Sequence, residues 1–185
     1  MTGRVIVIGG GVRSGKSAFA LARARALGRR LGFVATAQAF DAEMAARIAD
    51  HVRTRGAEFA TFEEPVALVD RLAGLRELDA VVVDCLTLWL SNLMLRDEPA
   101  AAIAAQIDAL VGVVRDRPFH TILVTNEVGM GVVPESALGR AFRDLAGLAH
   151  QRLAAVADEL YLGALGAIVR LRPDPITVQP PGGPA

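Results

Sequence analysis

A glycine-rich stretch near the start of the chain has the residue types and spacing of a phosphate-binding loop. Residues 10–17 read G-G-V-R-S-G-K-S, a complete G-x-x-x-x-G-K-S pattern between an apolar run and a helical pattern. In such a loop the backbone N–H groups surround phosphate oxygens, the lysine reaches the β- and γ-phosphates, and the serine hydroxyl binds Mg²⁺. The sequence therefore predicts a nucleoside triphosphate site formed by Gly10, Gly11, Val12, Arg13, Ser14, Gly15, Lys16 and Ser17.

Lys16 is the only lysine in the chain. The sequence has 20 basic residues, and all the others are arginines. The two types are not equivalent, because an ammonium is a compact charge on a flexible stem whereas a guanidinium is a planar fork. A single lysine at this position therefore indicates a site that requires the ammonium.

Two carboxylates compete for the role of the acid on the magnesium side of the site. Asp84 ends a continuous apolar run at residues 80–83, which is typical of a strand buried on both faces. Glu127 follows a second strand-like run. Asp84 can also be explained as the cap of a helix that begins near Leu86. The residues favour Asp84 for the metal and leave both alternatives open.

His51 is the histidine with the most informative surroundings. On a predicted helix over residues 41–53 it shares an apolar face with Met44 and Ile48. From spacing alone, a partly buried structural histidine is the simpler interpretation, whereas an imidazole turned toward a phosphate site would be a nucleophile. We interpret the other two histidines as structural or solvated: His120 and His150.

Residues 125–135, T-N-E-V-G-M-G-V-V-P-E, form a polar, glycine-rich loop after a predicted strand. Loops in this position often carry substrate contacts. The loop is not the N-K-x-D guanine motif of regulatory GTPases, which this chain cannot form because its one lysine lies in the phosphate loop.

Short apolar runs alternate with longer helical patterns, which predicts an α/β fold with a mainly parallel sheet. The phosphate-loop pattern makes this a P-loop NTPase-type three-layer fold, and the last two runs predict an antiparallel strand pair. Ligands of such sheets bind beyond the carboxyl ends of the strands, so the phosphate loop, Thr36, Asp84 and residues 126–127 should share one edge. Strands are predicted at residues 5–8, 33–36, 80–83, 121–125, 160–162 and 167–171, and helices at about 16–27, 41–53, 65–75, 100–114 and 138–158.

Length and composition exclude several classes of protein. The 185 residues predict one domain over residues 1–172, followed by an irregular Pro/Gly-rich tail over 173–185. A net charge of zero disfavours a nucleic-acid partner. The single Cys85 excludes a disulfide framework and fits a reducing cytoplasm. No apolar run is long enough for a membrane span, and glycines interrupt any N-terminal signal peptide, so we expect a cytoplasmic protein.

Taken together, the motifs closely resemble one family. The matching stretches keep their order from about Val5 to about Arg172. They resemble the bifunctional adenosylcobinamide kinase / adenosylcobinamide-phosphate guanylyltransferase family of cobalamin biosynthesis, and the loop at 125–135 is more specific than the phosphate loop. The matching stretches are residues 9–17, 35–37, 41–48 with His51, 84–87, 125–135 and 142–144.

The resemblance implies a two-step transferase. First, a nucleoside triphosphate phosphorylates the aminopropanol hydroxyl of adenosylcobinamide. A histidine then attacks the α-phosphate of GTP, pyrophosphate leaves, and the bound GMP passes to adenosylcobinamide phosphate, giving adenosylcobinamide-GDP. The family histidine follows A-R-I-x-x, which here makes His51 the implied nucleophile, with Lys16 as the second catalytic residue.

The resemblance also implies GTP and ATP as substrates, Mg²⁺ at Ser17 and Asp84, and a homo-oligomer, expected to be a trimer. The family's guanine-nucleotide contacts outside the phosphate loop map onto Ala35, Thr36, Ala37, Val52, Arg53, Thr54, Arg55, Glu63 and Asp84.

Two rival functions are a monofunctional small-molecule kinase with no need of His51, and a nucleotide-dependent regulatory binding module.

Overall fold

The computed structural model describes residues 3–39, 53, 55–174 and 177–179. Eight strands and five helices lie in these ranges. The strands are β1 (Val5–Gly10), β2 (Leu31–Ala35), β3 (Phe59–Glu63), β4 (Ala80–Asp84), β5 (His120–Val124), β6 (Glu159–Ala164), β7 (Ala167–Arg172) and β8 (Thr177–Gln179). The helices are α1 (Lys16–Leu27), α2 (Leu68–Gly74), α3 (Leu86–Met94), α4 (Ala100–Arg115) and α5 (Ala137–Val156).

All eight strands form one sheet in the order β3-β2-β4-β5-β1-β6-β7-β8. The first six of these are parallel, whereas β7 is antiparallel to both β6 and β8. This confirms the predicted mainly parallel α/β fold and the predicted antiparallel pair near the C-terminus. We call the side where the parallel strands end the carboxyl edge, and the side where they begin the amino edge.

Side chains that alternate along the central strands build two cores. In β4, Val81 and Val83 belong to the core that α2, α3, α4 and α5 cover, and Val82 belongs to the core that α1 covers on the other face. Successive strand residues point to opposite faces, so a strand covered on both sides must be apolar throughout. The result is the predicted three-layer arrangement, with Trp89 and Phe19 among the largest fully buried side chains.

Several boundaries differ from the predictions. Strand β3 was not predicted, because only Phe59 of its five residues is buried and the sequence lacks a clear period. The helix predicted from Pro65 begins at Leu68. Three residues of the tail form β8 on the far edge of the sheet, so the prediction of an irregular tail is wrong for Thr177–Gln179. The predicted helix at 41–53 lies outside the described residues, apart from Arg53.

The division into one domain over residues 1–172 and a tail over 173–185 stays a prediction. None of the helices in the described part of the chain is both long enough and apolar enough to cross a membrane.

Candidate active site at the carboxyl edge

The phosphate loop follows β1 directly and leads into α1. Gly10 has a φ of 153°, and a Cβ there would lie 2.4 Å from the carbonyl oxygen of Gly163 in β6, so this close approach of two backbones requires glycine. Gly15 is the N-cap of α1 with a φ of 88°. The loop therefore opens at the N-terminus of a helix, where N–H groups without helical partners favour an anion.

Lys16 is the first residue of α1 and is only 8% exposed. Its Nζ donates a hydrogen bond of 3.0 Å to the carbonyl oxygen of Gly11. Burial lowers the pKa of the Lys16 ammonium below its ordinary value, and the charge of Asp84 opposes part of that lowering. The ammonium of the only lysine is thus bound by a neutral acceptor in the loop, and the carboxylate of Asp84 is close enough to raise its pKa.

Asp84 is the last residue of β4, and a buried threonine fixes the chain just beyond it. The Thr36 hydroxyl donates to the carbonyl oxygen of Cys85 at 2.7 Å and accepts from the Cys85 N–H at 2.8 Å. The N-cap of α3 is Cys85, so the structure does not place Asp84 at the capping position. Because Thr36 is fully buried and its hydroxyl binds Cys85, its side chain joins the ends of β2 and β4.

A second buried cation lies near the same edge. Arg55 is 3% exposed, and its guanidinium carbon lies 3.9 Å from the centre of the Phe33 ring. Burial lowers the pKa of the Arg55 guanidinium, and the charges of Asp84 and then Glu63 oppose that lowering. Its Nη1 is buried and has no hydrogen-bond partner within the described part of the chain. A buried charge with an unmatched donor is costly unless an anion binds there.

The residues after β5 form a polar cluster between the phosphate loop and Asp84. The N–H of Glu127 donates to the carbonyl oxygen of Gly10 at 3.0 Å. The amide of Asn126 donates to the Thr87 hydroxyl at 2.9 Å. His150 reaches this cluster from α5, where its Nε2 lies 2.8 Å from the Thr125 hydroxyl.

The structure brings most of the predicted site residues in its described ranges to this edge. Glu63 and Asp84 end β3 and β4, the two strands on either side of β2, and both pair with Ala35. Ala35 and Ala37 are half-buried beside Thr36, and Arg53 is exposed. The predicted nucleophile and two of the predicted contacts lie outside the described residues: His51, Val52 and Thr54.

The two other histidines have different surroundings. At the amino edge, His120 accepts a hydrogen bond of 3.0 Å from the Arg4 N–H, in agreement with a structural role. The sequence predicts a structural or solvated role for His150, yet its side chain lies at the candidate site. The helical spacing could have identified this position. His150 lies four residues after Ala146 and three before Leu153, so the three residues share one face of α5, and Ala146 and Leu153 on that face are buried.

The donors at this edge suit a magnesium ion that is bound together with a nucleotide. Mg²⁺ usually takes one or two protein oxygens and completes its shell with phosphates and water. The half-buried Ser17 in the first turn of α1 and Asp84 offer such oxygens. Within the described ranges, no three His, Cys, Asp or Glu side chains cluster in a way that would hold a metal on their own.

Comparison with solved structures identifies the fold. The RadB recombinase matches with a TM-score of 0.53 at 18% identity, over 96% of this chain and 86% of that chain. An ATP synthase subunit from Nanoarcheaum equitans matches with a TM-score of 0.52 at 15% identity, over 89% of this chain and 46% of that one. These likenesses support the P-loop NTPase type of fold and carry nothing about the reaction.

Comparison of sequences is more specific. The bifunctional adenosylcobalamin biosynthesis protein CobP of Pseudomonas aeruginosa is 41% identical over 90% of this chain and 96% of its own length. CobU of Salmonella typhimurium, with the same description, is 40% identical over 91% of this chain and 99% of its own. The family model for cobinamide kinase / cobinamide phosphate guanyltransferase matches residues 6–171. The chain therefore belongs to the cobinamide kinase / cobinamide phosphate guanyltransferase family, and it is a bifunctional transferase.

Proposed function

We propose that this enzyme phosphorylates adenosylcobinamide with a nucleoside triphosphate and then transfers GMP from GTP to the resulting phosphate. The second step passes through a covalent GMP adduct on His51 and gives adenosylcobinamide-GDP. ATP and GTP are the nucleotide substrates. Family membership supports both activities, and the geometry of the carboxyl edge supports their chemistry.

The buried Lys16 ammonium is the observation that carries the kinase step. Phosphoryl transfer relies on positioning and on cations that match the charge of the phosphates. Lys16 is bound by a carbonyl, so an incoming phosphate oxygen replaces a neutral partner rather than a carboxylate. The ammonium can therefore turn to the β- and γ-phosphates by exchanging one neutral acceptor for a charged one.

Magnesium is proposed to bind with the nucleotide at this edge. Ser17 and Asp84 would hold it, and the ion would neutralise charge on the phosphates. Glu127 is the alternative acid for the metal, because its backbone N–H binds the carbonyl oxygen of Gly10 at the start of the phosphate loop.

The guanylyl step is supported by residues that follow His51 in the sequence. Arg55, four residues later, lies buried at the carboxyl edge, and its Nη1 has no hydrogen-bond partner among the described residues. The charge of Asp84 raises the pKa of this guanidinium against the effect of burial. A guanidinium is suited to phosphate oxygens. A histidine nucleophile divides one difficult transfer into two displacements at phosphorus, first with loss of pyrophosphate and then with loss of the histidine.

Two labelled substrates test the proposal. With γ-labelled ATP or GTP, adenosylcobinamide should gain label. With α-labelled GTP, adenosylcobinamide phosphate should gain label and the mass of one guanylyl group, which is GMP less one water. Label from the γ position alone would identify a monofunctional kinase, whereas tight nucleotide binding with neither transfer would identify a regulatory binding module.

We also propose a homo-oligomer, a trimer by analogy with the family, that works in the cytoplasm. Exposed apolar side chains near the site support association, because isolated chains seldom leave several together in water. Light scattering of the purified protein should give three times the mass of the 185-residue chain. The exposed apolar residues in question are Val12, Met130, Val132 and Val133.

A further inference from the structure

Strand β5 lies between the two strands that lead to the phosphate loop and to Asp84. It pairs with β1, which carries the phosphate loop, and with β4, which ends at Asp84. Residues that follow β5 therefore face the space between Lys16 and Asp84. The hydrogen bond from the Glu127 N–H to the Gly10 carbonyl fixes Glu127 at the entrance of the phosphate loop.

His150 connects two side chains of this cluster. Its Nε2 lies 2.8 Å from the Thr125 hydroxyl, and its Nδ1 lies 3.5 Å from Oε2 of Glu127. Burial lowers the pKa of the His150 imidazole, although the Glu127 carboxylate opposes that lowering, and the net direction favours the neutral ring. A neutral imidazole has one donor and one acceptor. Only the tautomer with its proton on Nδ1 presents a donor toward Glu127 while Nε2 accepts from Thr125.

The Glu127 carboxylate is held from both sides. Its Oε1 accepts a hydrogen bond of 2.7 Å from the Gly129 N–H, and its Oε2 faces His150. The side chain is 26% exposed, so part of the carboxylate remains accessible from outside the protein. Each carboxylate oxygen can accept a second hydrogen bond. The oriented acceptor is thus available to a hydroxyl group that enters beside the phosphate loop.

We propose that Glu127 receives the proton of the substrate hydroxyl in the kinase step, and that His150 is its positioning residue. This rests on the proposed kinase function. As the substrate oxygen forms its bond to the γ-phosphorus, its proton passes to the Glu127 carboxylate. The bond from the γ-phosphorus to the β-phosphate oxygen breaks, and the nucleoside diphosphate leaves with the electron pair. Glu127 then returns the proton to solvent.

The test compares Glu127→Gln with a matched variant, Glu98→Gln. Glu98 has a similar side-chain exposure of 24%, and it accepts a hydrogen bond from Gln106. Loss of a general base typically costs a factor of about 100 or more. We expect kcat for cobinamide phosphorylation to fall by about that factor in Glu127→Gln. The Mg²⁺ requirement, the nucleotide KM and the yield of GMP adduct should stay near wild type, and Glu98→Gln should change none of these quantities.

His150 variants separate positioning from stability. His150→Asn keeps an amide donor near the place of Nδ1, whereas His150→Leu removes it. We expect His150→Leu to lower kcat of the kinase step by about tenfold, a fraction of the general-base effect, with an unchanged nucleotide KM. His150→Asn should recover most of the loss. Equal kcat values for these two variants would contradict the positioning role.

Three results would overturn the assignment of Glu127. An unchanged kcat in Glu127→Gln would remove it from the reaction. An activity restored by excess Mg²⁺ would make Glu127 a metal ligand, and an equal loss of the GMP adduct would make it a nucleotide contact. If the wild-type enzyme itself phosphorylates no adenosylcobinamide, the proposed function fails before any variant is compared.

Discussion

The charged side chains at the two edges of the sheet have different kinds of partners. At the amino edge two carboxylates accept hydrogen bonds from arginine side chains: Asp79 accepts from Arg30 at 2.7 Å, and Glu159 accepts from Arg23 at 2.6 Å. At the carboxyl edge the two buried cations contact neutral groups, and the nearby charge of Asp84 acts on both. Lys16 donates to a backbone carbonyl, and Arg55 covers an aromatic ring.

This difference separates stability from ligand binding. A carboxylate that is paired with arginines has its hydrogen-bond acceptors occupied, so it is less available to a substrate. A buried cation with a neutral support keeps its charge for an incoming anion, at some cost to the stability of the free protein. Activity should therefore depend on the carboxyl edge, and resistance to unfolding on the amino edge.

The largest expected effect on activity is that of Lys16→Ala. Loss of one preorganised charge contact costs about 3–4 kcal/mol in the transition state, so both transfers should slow by two orders of magnitude or more. Circular dichroism should show an unchanged fold. Lys16→Arg should also be poor, because a planar fork does not replace a point charge in this loop. Near-normal rates for the arginine variant would contradict this explanation of the lone lysine.

Asp84→Asn should have the next largest effect, through the metal. If Asp84 orders Mg²⁺, the concentration needed for half-maximal turnover should rise clearly in this variant. Titration with MgCl₂ at saturating nucleotide measures it. Glu127→Gln should change the requirement less. The reverse ranking would transfer the metal role from Asp84 to Glu127.

Gly163→Ala tests how β6 supports the phosphate loop. A Cβ at this position would lie 2.8 Å from the Ser14 hydroxyl and 3.1 Å from Cδ1 of Ile168. Such crowding typically costs about 1–3 kcal/mol, and part of it would displace Ser14 within the loop. We expect a raised nucleotide KM with little change in kcat. A lowered melting temperature with an unchanged KM would mean that the loop is independent of β6.

Glu159→Gln should have the smallest effect on activity and a clear effect on stability. Burial opposes ionisation of Glu159, but the hydrogen bonds from Arg23 and Tyr161 prevail and hold the pKa of this carboxyl below its ordinary value. Removing the charge should lower the free energy of unfolding by about 2–3 kcal/mol, because Arg23 would lose a buried partner. The kinase kcat should stay at the wild-type value, and a large loss of activity would break the contrast between the two edges.

The same carboxyl gives a pH dependence with a definite sign. Because its pKa is lowered in the folded state, its stabilisation is complete above the unfolded carboxyl pKa of about 4.3. The stabilisation is lost as the pH falls through the folded pKa. Denaturant titrations of wild type should lose stability from about pH 5 downward. The loss should be smaller in Glu159→Gln.

The sequence predicts structure best where a pattern of residue types is compatible with few local structures. The phosphate loop and the apolar run before Asp84 could be predicted because glycine spacing and continuous burial leave few alternatives. Strand β3 could not, because Ala60 and Thr61 are exposed on an edge strand and show no period. The chemical surroundings of His150 could not be predicted, because its partners Thr125 and Glu127 come from a different part of the chain.

Retention of label from α-labelled GTP on the denatured protein tests the central claim most directly. The wild-type protein should keep label that is released by acid and stable in alkali, as a phosphoramidate is. His51→Ala should keep none and still transfer label from the γ position to adenosylcobinamide. His120→Ala, a matched change at the amino edge, should label normally. Undiminished labelling of His51→Ala, or label that survives acid, would contradict a histidine intermediate at this position.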